Sequence, residues 1–125
     1  MSYYEDNFDL QEIYSILCKW AKNDGNEIGD YSRLAQEYLD KKQQHIDVHT
    51  ELNKILGIIN NRLSNIEAPP LSALVVNKES QMPGKGFWGC APNAPKKPSS
   101  KDEQEKMWKN LVQDVRNYNW PEILP

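Results

Sequence analysis

Cysteine is scarce in this sequence. Among 125 residues only Cys18 and Cys90 are cysteines, and they stand far apart without forming a CxxC pair. A disulfide framework and a zinc knuckle both need closely grouped cysteines, so neither is indicated. We expect both thiols to be reduced.

Long hydrophobic runs are missing as well. No apolar run approaches the roughly 20 residues that a membrane-spanning helix needs. The opening residues MSYYEDNFD lack the basic and apolar parts of a signal peptide. We therefore expect a cytoplasmic protein that makes no membrane contact. With 38% hydrophobic and 10% aromatic residues, the chain suits a single domain over residues 1–125 with a modest core.

Common catalytic motifs are also absent. The sequence contains no GxSxG, no Walker-type phosphate loop and no HExxH. His45 and His49 stand four residues apart, as two metal ligands on one helix face do, but a metal site needs further ligands. Cys90 would need a neighbouring base to become a nucleophile. We predict a protein that is not an enzyme and holds neither a metal nor another cofactor.

The charges are unevenly distributed along the chain. The formal net charge is −3, yet residues 1–30 carry seven acids against two lysines. Residues 41–101 carry nine basic residues against four acids. This polarity allows a basic partner at the amino-terminal side and an acidic partner at the other side.

Apolar residues at helical spacing predict three helices in the first half of the chain. Asp9, with Glu12 three residues later, is the predicted start of the first helix. Asp30 is the N-cap predicted for the second helix. The third helix is expected from about residue 47 to residue 65, with a glycine in its middle.

A short apolar run at 71–76 follows two prolines and contains two β-branched valines, which is typical of a strand. Glycines then punctuate a second short segment that holds Phe87 and Trp88. Together the two segments predict a β-hairpin with strands at about 71–77 and 86–89.

Three helices followed by a hairpin is the order of elements in a winged helix. We therefore predict a helix-rich α+β fold with a winged-helix-like three-helix core over residues 1–90. The prolines and lysines of residues 91–100 predict an extended linker. Ser100 and Glu103 form a capping box that opens an extra C-terminal helix, 101–120, whose apolar stripe predicts packing back on the core.

Five segments carry a resemblance to a known group of proteins. They are YSRLA at 31–35, LG at 56–57, PPLSALVVNK at 69–78, MPGKGFW at 82–88 and YNW at 118–120. In these segments the chain resembles small bacterial and phage-borne proteins with a winged-helix-like core, some of which occur beside restriction or other phage-defence genes. The resemblance implies a binding role in genetic conflict and no defined chemistry. It does not extend to the acidic first 30 residues or to the linker of prolines and lysines.

The partner-binding surface that we predict lies at the hairpin tip and on its return, where charged groups and a tryptophan can contact a protein or a protein–nucleic acid complex. Its residues are Lys78, Glu79, Gln81, Lys85 and Trp88. In the alternative of a DNA-binding module, helix three would read bases and lysines would contact phosphates. The residues for that role are Lys54, Asn60, Asn61, Arg62, Lys78, Lys85, Lys96 and Lys97.

These features predict non-catalytic binding to a macromolecule in a phage or prokaryotic defence setting. The protein would be an inhibitor or accessory of a nucleic-acid-processing complex such as a CRISPR or restriction system. A winged-helix DNA-binding module is one alternative. An immunity or antitoxin protein that blocks a toxin with its acidic surface is another, using Glu5, Asp6, Asp9, Glu12, Asp24, Glu27 and Asp30.

Overall fold

The protein has a helix-rich α+β fold, as the sequence predicts. A computed structural model describes residues 8–22 and 28–125. In chain order the elements are α1 (Leu10–Lys22), β1 (Gly29–Asp30), α2 (Tyr31–Lys42), α3 (Glu51–Ser64), a 3₁₀ helix (Leu71–Leu74), β2 (Val75–Val76) and α4 (Lys101–Asn117). Among the described residues, no helix combines the length and the apolar character needed to cross a bilayer.

Side-chain caps begin three of the four α-helices in the described part of the chain, at the predicted positions. Asp9, Asp30 and Ser100 each accept a hydrogen bond from the backbone amide three residues later, at 3.0, 2.7 and 3.2 Å. Each cap satisfies an amide that has no partner within its own helix. These three helix starts follow from local sequence alone.

The third helix starts later than predicted. Its first residue is Glu51, whereas the sequence pattern predicts a start near Asp47. The Asp47 carboxylate accepts from the amide of His49 at 2.8 Å, two residues on, and so holds a turn ahead of the helix. The apolar side chains of α3 are nevertheless buried as expected from their spacing.

The predicted β-hairpin is wrong. Residues 71–74 form the 3₁₀ helix, and residues 86–89 form turns rather than a strand. Strand β2 pairs in parallel with β1, in the register Gly29 with Val75 and Asp30 with Val76. Because every residue of the 71–76 run is buried, the run lacks the alternation of a half-exposed hairpin strand. The winged-helix arrangement is not confirmed.

The 3₁₀ helix lies at the centre of the packing. It contacts α1, α3 and α4, and all four of its side chains are buried. Around it, fully buried side chains come from α1, α2 and α3, and they include Tyr14, Leu17, Leu34 and Ile55. The short, buried segment predicted as a wing is therefore part of the hydrophobic core.

Helix α4 lies against the 3₁₀ helix and α1. Val112 and Val115 are buried in this contact, and the chain after the helix is tied to α1. Tyr14 donates its hydroxyl hydrogen to the carbonyl of Pro121 at 2.6 Å, and its ring packs edge to face on Trp120.

The first half of the predicted extended linker is folded onto the protein. Ala91 and Ala94 are buried, and the side-chain amide of Asn93 donates to the carbonyl of Ala68 at 3.1 Å. The amide of Gly89 also donates to the carbonyl of Pro95 at 3.0 Å, which closes the turn. Burial of the two alanines and these hydrogen bonds distinguish this segment from an extended linker.

An ion pair joins the start of α1 to the end of α2, where Lys42 Nζ lies 3.0 Å from Asp9 Oδ2. Burial alone would raise the pKa of Asp9. The hydrogen bonds from Lys42 and from the amide of Glu12 outweigh that effect and lower the pKa. Since the folded-state pKa is lowered, the carboxylate stabilises the fold above its unfolded pKa, about 3.9. This contribution is lost as the pH falls through the folded-state value.

We expect Asp9→Asn to lower the free energy of unfolding at pH 7 by up to about 1 kcal/mol, because the pair is partly exposed. Asparagine keeps the cap acceptor, whereas Asp9→Ala removes it and should cost about 1 kcal/mol more. Urea unfolding from pH 7 down to pH 2 measures both differences. The difference in unfolding free energy between Asp9→Asn and the original protein should vanish near pH 2. A difference that persists there would contradict the role of the ion pair.

Candidate functional site

A cleft of about 680 Å³ lies between α4 and the loop 77–88. We call it the tryptophan cleft, because two indoles line it. Its lining residues are Ile28, Asn77, Ser80, Gln81, Met82, Pro83, Lys85, Trp88, Lys97, Lys101, Gln104, Glu105 and Trp108. Its volume is that of a typical small-ligand pocket, about 300–1,000 Å³.

One wall of the cleft is a single face of α4. Lys101, Gln104, Glu105 and Trp108 recur at intervals of three and four residues, so they lie on the same side of the helix. Trp108 Nε1 donates to the carbonyl of Ala73 at 2.8 Å, which ties its indole to the 3₁₀ helix. This wall is therefore anchored in the core.

The opposite wall is a loop closed by its own hydrogen bonds. The amide of Asn77 donates to the carbonyl of Met82 at 2.8 Å, and the amide of Gln81 donates to the carbonyl of Asn77 at 2.9 Å. Gln81 Nε2 also donates to the carbonyl of Lys78 at 2.7 Å. These bonds give the loop a defined shape although its tip is exposed.

Trp88 is positioned by its buried neighbour. Phe87 is 3% exposed and packs edge to face on Trp88, with ring centroids 5.2 Å apart. The chain just before this pair is held by the hydroxyl of Tyr31, which accepts from the amide of Gly84 at 2.9 Å. Just after it, Gly89 has a φ of +71°, which glycine adopts without strain.

Positive charge dominates the tryptophan cleft. Three lysines line it, Lys85, Lys97 and Lys101, and none of them forms an ion pair within the described residues. Among the described lining residues the one acid is Glu105, which also pairs with Lys109 at 3.3 Å. Three lysines against one glutamate give the described lining a net charge of +2, in a protein whose net charge is −3.

The structure brings together only part of the predicted partner-binding surface. Gln81, Lys85 and Trp88 line the tryptophan cleft. Lys78 and Glu79 are exposed on the loop but do not line it. The predicted partner-binding surface therefore does not lie on a protruding hairpin, and three of its five residues form part of a cleft wall.

The predicted nucleic-acid surface on α3 is wrong at Asn60. This side chain is fully buried, and its amide donates to the hydroxyl of Ser72 at 2.7 Å, so it cannot contact a base. Lys54 and Asn61 are exposed, and Arg62 donates through Nε to the carbonyl of Pro125 at 2.7 Å. None of these α3 residues lines the cleft.

The two linker lysines of the predicted nucleic-acid surface differ in position. Lys97 lines the tryptophan cleft, whereas its neighbour Lys96 is exposed and does not. Adjacent residues of the same type thus stand in different surroundings. A substitution of Lys96 is therefore a matched control for a substitution of Lys97.

Trp108 packs against the core and also lines the cleft. Its position in the apolar stripe of the last helix predicts a core residue, and the side chain is partly buried against the hydrophobic core while it forms part of the cleft wall. Lys101 and Gln104, at helical spacing before it, are the sequence signal for a mixed polar and aromatic face. This spacing identifies a cleft wall only when the position of the facing loop is known.

The geometry of the described residues gives no support for a metal site at the histidines or for a nucleophilic thiol. Within residues 8–22 and 28–125, no group of three or more potential ligands is placed to hold a metal ion. Burial raises the pKa of the Cys90 thiol, despite a hydrogen bond from Asn60 Nδ2 at 3.6 Å. An amide cannot act as the base that a nucleophilic thiol requires.

Comparisons with protein-family models, with curated proteins and with solved structures find no match for this chain. The fold and the cleft together define a class, a small helix-rich α+β protein with a basic, tryptophan-lined cleft between its last helix and a closed loop.

Proposed function

We propose that this protein is a non-catalytic binding protein whose tryptophan cleft takes an anionic macromolecule, either nucleic acid or a protein–nucleic acid complex. The main support for the proposal is a set of three lysines beside two indoles in one cleft, none of the three in an ion pair within residues 8–22 and 28–125. Lysines attract phosphates, and tryptophans concentrate binding energy at interfaces. The cleft is positive although the whole chain is acidic.

The biological setting that we propose is phage or prokaryotic defence, where the protein would inhibit or assist a nucleic-acid-processing complex such as a CRISPR or restriction system. This part rests on the resemblance of segments 69–78 and 82–88. Both segments contribute to the loop wall of the tryptophan cleft. The segments that carry the resemblance therefore supply residues to the surface proposed to bind.

The winged-helix DNA-binding alternative has less support. It assigns base recognition to α3 and phosphate contacts to a hairpin wing. Asn60 of α3 is buried, and residues 86–89 form no strand.

Two of the seven acids of the immunity-protein alternative take part in contacts within the fold. Asp9 pairs with Lys42, and Asp30 caps α2. Four of the acids, Glu5, Asp6, Asp24 and Glu27, lie outside the described residues.

The proposal predicts a salt-dependent affinity for nucleic acid that depends on Lys85 and Lys97. We expect the double variant Lys85→Gln/Lys97→Gln to bind more weakly. The slope of log K against log salt should become less steep by roughly 1.5, because two phosphate contacts are lost. Fluorescence anisotropy of labelled DNA, both single-stranded and duplex, at several salt concentrations measures the slope.

The matched control is Lys78→Gln/Lys96→Gln. It removes the same number of charges at two positions that do not line the cleft. The slope of log K against log salt should therefore stay near that of the original protein. Equal effects of the two double variants would show general attraction without a site. If no nucleic acid binds even at low salt, the nucleic-acid partner is ruled out.

A further inference from the structure

The tryptophan cleft is lined by two partly buried tryptophans, Trp88 and Trp108. Accessible aromatic rings within a basic groove bind the faces of unstacked bases. Provided that the proposed function holds, we propose that the cleft binds single-stranded nucleic acid in preference to duplex. Bases stack on the two indoles, and the cleft lysines contact the phosphates.

The shape of the cleft favours a single strand. A duplex hides the faces of its bases in the stack and is read by elements that protrude into its grooves. Here the aromatic rings lie in a concave cleft of about 680 Å³ between a helix and a loop. A splayed strand can place a base inside such a cleft, whereas a duplex can touch only its rim.

A second groove adjoins the tryptophan cleft and extends further along α4. It has a volume of about 380 Å³, and Ile28 and Trp108 line both it and the tryptophan cleft. Its lining includes Lys109, which pairs with Glu105 at 3.3 Å, and Arg116, whose Nη1 lies 3.5 Å from the carbonyl of Trp20. From Lys101 to Arg116 the helix extends about 22 Å, and the two grooves together follow this length, with Trp108 lining both. An extended polyanion matches this arrangement better than a compact ligand does.

Two side-chain amides supply hydrogen-bonding groups for base edges. Gln81 Nε2 donates to the carbonyl of Lys78 at 2.7 Å, and Gln104 Nε2 donates to the carbonyl of Pro98 at 2.9 Å. These bonds hold both amides at the cleft and leave their carbonyl oxygens for the amino groups of bases. The site thus combines stacking, phosphate contacts and fixed polar groups.

The deciding experiment compares three labelled ligands of equal length on the full chain. They are a single strand of about ten nucleotides, the duplex of the same sequence, and a strand with the same phosphates but without bases. We expect the single strand to bind at least about tenfold more tightly than the base-free strand, since each stacked base contributes roughly five- to 150-fold in affinity. The duplex should bind about as weakly as the base-free strand.

Substitution of Trp88 tests stacking at a position on the loop wall. Trp88→Leu keeps an apolar side chain but removes the aromatic ring, and we expect single-strand affinity to fall roughly fivefold or more. Trp88→Phe keeps a ring and should stay within about threefold of the original. The comparison of the three ligands uses the unchanged protein, so the test does not depend on how the variants fold.

The outcomes separate this inference from the proposed function. Equal binding of the single strand and the base-free strand would overturn base stacking and leave the anion-binding cleft in place. Duplex binding as tight as single-strand binding would overturn the strand preference alone. If none of the three ligands binds at low salt, or if the Lys85→Gln/Lys97→Gln variant binds all of them unchanged, both proposals fail and an acidic protein segment becomes the candidate occupant.

Discussion

Gly29→Ala is expected to lower the free energy of unfolding by about 3 kcal/mol, because a methyl group at this position would overlap a buried indole. The new Cβ would meet Trp20 at Cη2, and it would lie 2.7 Å from Cζ3 and 3.0 Å from Cζ2. Trp20 is 3% exposed, its Nε1 donates to Glu37 at 3.3 Å, and the guanidinium of Arg33 lies 4.9 Å from its ring. The indole cannot move aside without breaking these contacts.

The backbone at Gly29 is equally constrained, because it pairs with Val75 in the parallel sheet. Thermal unfolding followed by circular dichroism should show a melting temperature lower by roughly 10 °C for this loss of stability. An unchanged melting temperature would mean that the paired strands or the indole can shift to accommodate the methyl group at little cost in free energy.

Gly57→Ala is the matched control for Gly29→Ala. A Cβ at Gly57 would meet nothing within 4 Å, and the residue lies inside α3. Alanine has the higher helix propensity, so this variant should gain about 0.5–1 kcal/mol. The same substitution therefore has opposite signs at two glycines. The sequence alone does not distinguish the two positions.

Asn60→Asp is the second change with a large expected effect. The side chain is fully buried, its Nδ2 donates to the hydroxyl of Ser72, and its Oδ1 has no hydrogen-bond partner among the described residues. A carboxylate here could accept from the Ser72 hydroxyl, but neither neighbour within hydrogen-bond distance, Ser72 or Cys90, carries a positive charge. An uncompensated buried charge costs about 3–5 kcal/mol. We expect a loss of that size at pH 7 in urea unfolding.

The cost of Asn60→Asp should depend on pH in a defined direction. Burial raises the pKa of the new carboxyl group above its unfolded value of about 3.9. Below the unfolded value the group is protonated in both states, so the charge penalty is absent. The penalty grows as the pH rises towards the folded-state pKa. Stability of the variant relative to the original should therefore recover on acidification.

Asn61→Asp is the control, because it makes the same chemical change one residue later on an exposed side chain. Its cost should stay below about 1 kcal/mol, the size of a helix-end charge effect. If both variants lose the same stability, burial of Asn60 does not explain the result.

The candidate site was only partly predictable. Lys85, Trp88 and Lys97 stand out in the sequence as charged or aromatic residues in loops, and they do line the tryptophan cleft. Trp108 belongs to the apolar stripe of α4 and packs against the core, and it also lines the cleft. Asn60 follows the polar pattern of α3, which predicts an exposed side chain, but it is fully buried. Side-chain spacing gives the face of a helix but not what covers it.

The sequence by itself determined where α1, α2 and α4 begin and which faces of the helices are apolar. Caps at Asp9, Asp30 and Ser100 bond amides only three residues away, and the apolar stripes need only neighbours within a helix, so both signals are local. Only the tertiary structure decided the pairing of Gly29–Asp30 with Val75–Val76 and the meeting of the loop with α4. Those contacts join segments far apart in the chain, and their formation depends on how the buried 3₁₀ helix packs against α1, α3 and α4.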